Sequence, residues 1–179
     1  LNSVPAEGGK VTNTATVDLP NGGKVTTDTD SQPTSTTFAP LTVTKTAQGT
    51  EASKLSGAQF KLYLCKKGDD GKYQLLGDPV QVADKDAAGA NLSDTLTTDG
   101  TATAKGYGVP ATSFSGGTTG EQANQYCVQE TKAPEGFFVN PEAQPVSYDK
   151  DKNTLTVSVQ DEKDSVIGQL PATGAWGLL

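Results

Sequence analysis

Short stretches of this sequence alternate apolar and polar residues with a period of two. Three of them, "LTVTK", "YCVQE" and "LTVSVQD", end on an ionisable residue that keeps the apolar parity. In a strand, residues i, i+2 and i+4 share a face. The face of Leu41 and Val43 therefore also carries Lys45, that of Tyr126 and Val128 also carries Glu130, and that of Leu155, Val157 and Val159 also carries Asp161. One such residue at a strand end can reach solvent and do nothing. Three are harder to accommodate, because an isolated buried charge is strongly unfavourable, so an inward Lys, Glu and Asp must either find one another or avoid burial.

The same rhythm sets the fold class. From "APLTVTKTA" to "TLTVSVQDEK", strand signals recur through "GAQFKLYLC", "YQLLGDPVQVA", "LSDTLTTDGTAT" and "NQYCVQE", with Gly, Pro, Asp and Asn at the joints. This predicts an all-β chain with a β-sandwich over residues 40–163. Residues 1–39 hold the strand "KVTNTATVDL", a turn at "PNGGK" and the extended stretch "VTTDTDSQPTSTTF". Two strands cannot close a core alone, so they are read as the last strands of a preceding β-sandwich domain, or as packing on the sandwich C-terminal to them. Residues 164–179 read as a polar linker and a tail, "LPATGAWGLL". The opening "LNSVPAEGGK" has no initiator Met, basic region or apolar core, and is expected to be a cut edge, not a signal peptide. The stretch "AWGLL" is far shorter than the roughly 20 apolar residues that cross a bilayer, which suggests a truncated membrane segment.

Composition narrows the chemistry. Lys plus Arg number 14 against 21 Asp plus Glu, a net charge of −7, with no basic cluster to track a phosphate backbone, so nucleic acid is not an expected partner. With no His and two Cys, zinc sites and His-based nucleophilic mechanisms lack their usual groups, and no metal or cofactor is expected. The stretch "DKDAAGANLSD" has the acidic spacing of a calcium loop, but Ala88 stands at a ligand position and Thr95 replaces the bidentate acid, so a solvated loop is expected.

If Lys45, Glu130 and Asp161 do meet, burial disfavours their charged forms and favours a neutral amine beside protonated acids. A neutral amine is a nucleophile, and a carbonyl polarised by a protonated carboxylic acid is an electrophile. Held at contact distance in a dry site, they can condense to an amide and release water. Such a reaction happens once and consumes its own residues, so the chain is not read as an enzyme.

The stretch "YCVQETKAPEGF" resembles the E-box of Gram-positive pilins and their B-type collagen-adhesin (CnaB-like) domains, a Tyr-x-Leu-x-Glu-Thr-x-Ala-Pro-x-Gly-Tyr pattern. Tyr126, Glu130, Thr131, Ala133, Pro134 and Gly136 match, while Val128 replaces Leu and Phe137 replaces the last Tyr. The resemblance implies an Ig-like, CnaB-type sandwich with a spontaneous isopeptide bond from a first-strand lysine to a last-strand Asn or Asp, promoted by the glutamate. Lys45, Asp161 and Glu130 fall on those places. Asn153 shares the parity of Asp161 and is the fallback acceptor. Asp161 is preferred because "VSVQDEK" resembles the family's closing Val-x-Val-x-Asn-x-Lys, and because parallel first and last strands would leave Asn153 a strand length away. In "KVTNTATV", Asn13 shares a face with Val11, Ala15 and Val17, and the stretch resembles the closing strand of a preceding pilin domain, with Asn13 as its isopeptide acceptor and the lysine upstream. A strand Asn bonded to backbone is the alternative.

Cys65 lies opposite Phe60, Leu62 and Leu64, and Cys127 opposite Tyr126 and Val128, so both are expected on outward faces, where they can meet. In an exported protein they pair; two free thiols are the alternative. The run Leu170, Pro171, Ala172, Thr173, Gly174 resembles the Leu-Pro-x-Thr-Gly signal of sortases. Pro171 stiffens an extended peptide and Gly174 leaves the Thr173 carbonyl accessible, so a cysteine transpeptidase could cleave after Thr173 and hold it as a thioester. An amine from a neighbouring pilin or from cell-wall peptidoglycan then releases it. Together these motifs imply a structural subunit of a covalently polymerised surface pilus, anchored at the cell wall. The alternative is a wall-anchored adhesin, or a tip or basal pilin, that binds a host-surface ligand. A shaft subunit is expected to carry a pilin-motif lysine in a Val-Tyr-Pro-Lys-like setting; none occurs here, and it would belong to the upstream domain.

Overall fold

The computed structural model describes residues 10–12, 16–18, 20, 24–26, 35–115, 118–122 and 125–163; Asn13 and the 170–174 motif lie outside them. Along the chain run β1 (Lys10–Thr12), β2 (Thr16–Asp18), β3 (Lys24–Thr26) and the long β4 (Ser35–Ala47). A 3-10 turn at Ala52–Leu55 leads to β5 (Gln59–Lys67), β6 (Tyr73–Leu76), β7 (Val82–Ala83), β8 (Leu92–Ser93) and β9 (Leu96–Thr97). Next come β10 (Thr103–Pro110), β11 (Thr112–Ser115), β12 (Thr118–Glu121), β13 (Tyr126–Lys132), β14 (Gln144–Pro145), β15 (Ser147–Asp149) and β16 (Thr154–Asp161).

Two sheets carry the fold, an all-β Ig-like sandwich: the alternation predicts the sandwich and the resemblance its Ig-like type. One has the order β15-β16-β4-β10-β7-β8, and the other β14-β13-β5-β6 with β9 added on β5. The first and last long strands are neighbours and run parallel: Leu155 pairs with Leu41, Val157 with Val43, Val159 with Lys45 and Asp161 with Ala47. Burial along β16 alternates strictly, with Leu155, Val157, Val159 and Asp161 all inward. On the facing sheet Tyr126, Val128 and Glu130 of β13 stand opposite Leu64, Leu62 and Phe60 of β5. The core lies between, built from Leu41, Val43, Leu155, Val157 and Val159 on one side and Phe60, Leu62, Tyr126 and Val128 on the other. Tyr126 keeps its polar end satisfied: its hydroxyl donates to the Pro110 carbonyl (2.8 Å) and accepts from Gln122 Nε2 (2.9 Å), and burial pushes the phenol up to about 12.

Two features add to the sequence-based reading. β4 runs without a break across the 39/40 position, and β1 pairs antiparallel with its first residues, Lys10 with Thr37 and Thr12 with Ser35. β10 contains Gly106, Gly108 and Pro110, a turn-like composition, yet it is a full partner of β4. A register shift between Gly106 and Val109 accommodates it, and Gly106 is needed because a Cβ there would lie 2.9 Å from Leu96 Cδ2 and 3.1 Å from Val82 Cβ.

Candidate functional site

At one end of the core the apolar faces of β4, β13 and β16 give way to Lys45, Glu130 and Asp161. These are 2%, 4% and 3% exposed as residues, with the side chains wholly buried. Parallel pairing of β4 and β16 puts Lys45 and Asp161 two positions apart on one face, close enough for Lys45 Nζ to donate directly to Asp161 Oδ1. From the opposite sheet Glu130 Oε1 lies 2.7 Å from Lys45 Nζ. The ring of Phe60, the register partner of Glu130, has its centroid 5.6 Å from the ammonium. Beyond Lys45 the sandwich is closed by Ala47, Leu55 and Ala102, with Phe137 packed against them, and the Ala102 carbonyl accepts the Lys45 N–H at 2.8 Å.

With all three groups charged the buried site would hold one net negative charge, which the low-dielectric interior disfavours. Burial pushes the Glu130 carboxyl above its ordinary value and the nearby Asp161 carboxyl adds to the rise, while Lys45 and the Asn140 N–H oppose it. Burial thus favours the neutral acid form at Glu130. Its Oε2 accepts the Asn140 N–H at 2.7 Å. Glu130 Oε1 and Asp161 Oδ2 are buried without an aligned hydrogen-bond donor among the described residues. An amine, a carboxyl to receive it and a second carboxyl that burial pushes toward its acid form are therefore in mutual contact in a buried site, the arrangement that amide condensation requires.

Asn153 does not join them. It occupies a turn at φ 51°, its Nδ2 donates to the Phe38 carbonyl (2.8 Å) and its Oδ1 accepts from the Tyr148 hydroxyl (2.9 Å). The register of β16 on β4 leaves it six residues before the Lys45 level, on the order of 20 Å away. Cys65 and Cys127 form a disulfide across β5 and β13, with Cα atoms 5.7 Å apart. They lie outside the core cluster, as parity predicts, and are nonetheless covered: Cys127 is 0% and Cys65 9% exposed. The cause is that β13 is an inner strand, with Tyr63 and Pro145 as register partners on either side of Cys127. Two participants have no clear mark in the sequence. Phe60 is recognisable as an inward residue but not as the wall of a charged site. Asn140 sits in a loop, where no periodicity marks it; its only signal is the Asn-Pro pair with Pro141.

A sequence description of the SpaA prealbumin-like fold domain matches residues 39–163. The fimbrial subunit type 1 of Actinomyces viscosus is 31% identical over 175 residues, covering 89% of this chain and 32% of that protein, so the chain spans about a third of its curated relative. Among solved structures, the fimbrial protein FimP from Actinomyces oris is similar with a TM-score of 0.59 and 22% identity, over 91% of this chain and 40% of that one. Domains D2 and D3 of the major pilin SpaD from Corynebacterium diphtheriae give a TM-score of 0.54 and 24% identity, over 86% and 58%. These structures bear on the fold.

Proposed function

Because the chain belongs to the SpaA prealbumin-like fold domain family, we propose that it is part of the stalk of a Gram-positive pilus subunit, crosslinked within itself by an amide between Lys45 and Asp161. The observation that carries this reading is the buried contact of Lys45, Asp161 and Glu130 between the first and last long strands of the sandwich. The Lys45 ammonium passes one proton to the Asp161 carboxylate it is bonded to, and the resulting amine attacks Cγ of the Asp161 carboxyl while the Glu130 acid donates its proton to the other Asp161 oxygen. The N–C bond forms, a C–O bond breaks and one water leaves. A proton lost by the amine returns to Glu130, which ends as it began, so its part is that of a one-turnover acid and base.

In this reading the "LPATG" run supplies the joining chemistry. Sortase cleaves after Thr173 and passes its acyl group to an amine of a neighbouring subunit or of cell-wall peptidoglycan. The partners are therefore sortase, further pilin subunits and the cell wall, and the location is the cell surface. The Cys65–Cys127 disulfide fits an exported protein.

Intact mass is the direct test. The wild type is expected about 18 Da below its sequence mass, beyond the roughly 2 Da of the disulfide, and Glu130→Ala only about 2 Da below. A wild type without the larger deficit would sink the isopeptide reading. Asn153→Ala is expected to keep that deficit while losing about 1–2 kcal/mol of stability by urea unfolding, through two hydrogen bonds and a left-handed turn conformation that alanine disfavours. Loss of the deficit in this variant would instead make Asn153 the acceptor.

A further inference from the structure

Asn140 makes three hydrogen bonds, one of them to Glu130. Its N–H donates to Glu130 Oε2 (2.7 Å), its Nδ2 donates to the Gln160 carbonyl next to Asp161 (3.0 Å), and its Oδ1 accepts the Glu142 N–H (3.0 Å). The last closes a tight turn that presents the residue's own N–H, and the second ties that turn to β16. We propose that Asn140 is the positioning residue of the self-crosslinking reaction: it engages Oε2 as an acceptor, so the Glu130 proton resides on Oε1 and points at Lys45 and Asp161. This rests on the amide reading above.

The geometry supplies an independent reason for that proton position. The two buried oxygens at the site without an aligned donor are Glu130 Oε1 and Asp161 Oδ2. A proton on Oε1 supplies a donor toward Asp161 at the oxygen that lacks a partner, whereas a proton on Oε2 would weaken the acceptor of the Asn140 N–H and leave Oε1 without one. The same turn borders an open depression of about 370 Å3, lined by Phe138, Asn140, Gln160 and Asp161 among others, through which the released water can leave. The titratable groups facing Glu130 are Lys45 from β4 and Asp161 from β16; β5 presents only the Phe60 ring, and Glu142 in the loop is solvent-exposed.

The test uses full chain that has never folded, recovered in denaturant and diluted into buffer over a range of pH. Aliquots are quenched in acid and the fraction lacking one water is read by intact mass, while near-UV circular dichroism tracks folding. Asn140→Ala is expected to fold normally but to close the amide roughly tenfold or more slowly. Because the lost tether weakens a donor that favours the Glu130 carboxylate, the acid keeps its proton to higher pH, and the high-pH limb of the rate profile moves upward. If the alanine variant does not fold, Asn140→Ser, which retains an acceptor for the Glu142 N–H, is read in the same way. Unchanged closure, or slower closure with an unmoved pH profile, overturns the positioning role alone. A wild type that never loses water overturns it together with the amide reading.

Discussion

Lys45→Ala is expected to lower the melting temperature by roughly 15–25 °C, the effect of losing a crosslink worth about 5 kcal/mol in a domain of this size. The amide would close a loop of 116 residues, so most of the loss comes from the entropy restored to the unfolded chain. The folded state loses as well, since the neutral amide is replaced by a buried Asp161 carboxyl that faces Glu130 with no amine between them. Asp161→Ala removes the same bond, so the double variant should melt close to the single ones instead of at twice the distance. Glu130→Ala should behave alike if it acts by forming the bond. The measurement is calorimetry with the disulfide intact. Single variants that melt within a degree or two of the wild type would show that no covalent tie was lost.

What made this site legible was a conflict between parity and polarity. A period-two pattern assigns each residue of a strand to a face, and in β4, β13 and β16 it assigned a charge to the core three times. Strand alternation is local information, so it survives without knowledge of the fold. The parallel pairing of β4 and β16 then sets Asp161 beside Lys45 and Asn153 a strand length away, because register converts sequence separation into distance.

The rest is tertiary. Glu130 meets Lys45 only because two sheets face each other. Asn140 reaches Glu130 from a loop whose hydrogen bonds have no repeat to reveal them. Cys127 is covered because β13 is flanked on both sides, and strand position within a sheet is invisible to alternation. β10 was hidden for the opposite reason. Its glycines and proline carry a turn composition, yet close approach by Leu96 and Val82 demands a residue without a side chain at 106.

Under force the two crosslinks should separate cleanly. When a single molecule is pulled by its ends, load enters the sandwich along β4 and leaves along β16, the strands that the amide would join. A wild-type domain should therefore give no unfolding step from the span between Lys45 and Asp161, since the amide carries the load across it and only the part of β4 before Lys45 can peel away. Lys45→Ala should unfold, but only in part. The disulfide closes 62 residues, and that segment stays locked while the chain outside it extends. Adding reductant to Lys45→Ala should lengthen each unfolding step by roughly 200 Å, the extended length of the released loop. In the wild type reductant should change nothing, because the disulfide loop lies inside the span from Lys45 to Asp161 and bears no load while the amide holds. An unfolding step in the oxidised wild type longer than the part of β4 before Lys45 would show that the first and last strands are not covalently joined. Steps of equal length in oxidised and reduced Lys45→Ala would show that the disulfide does not shelter its loop.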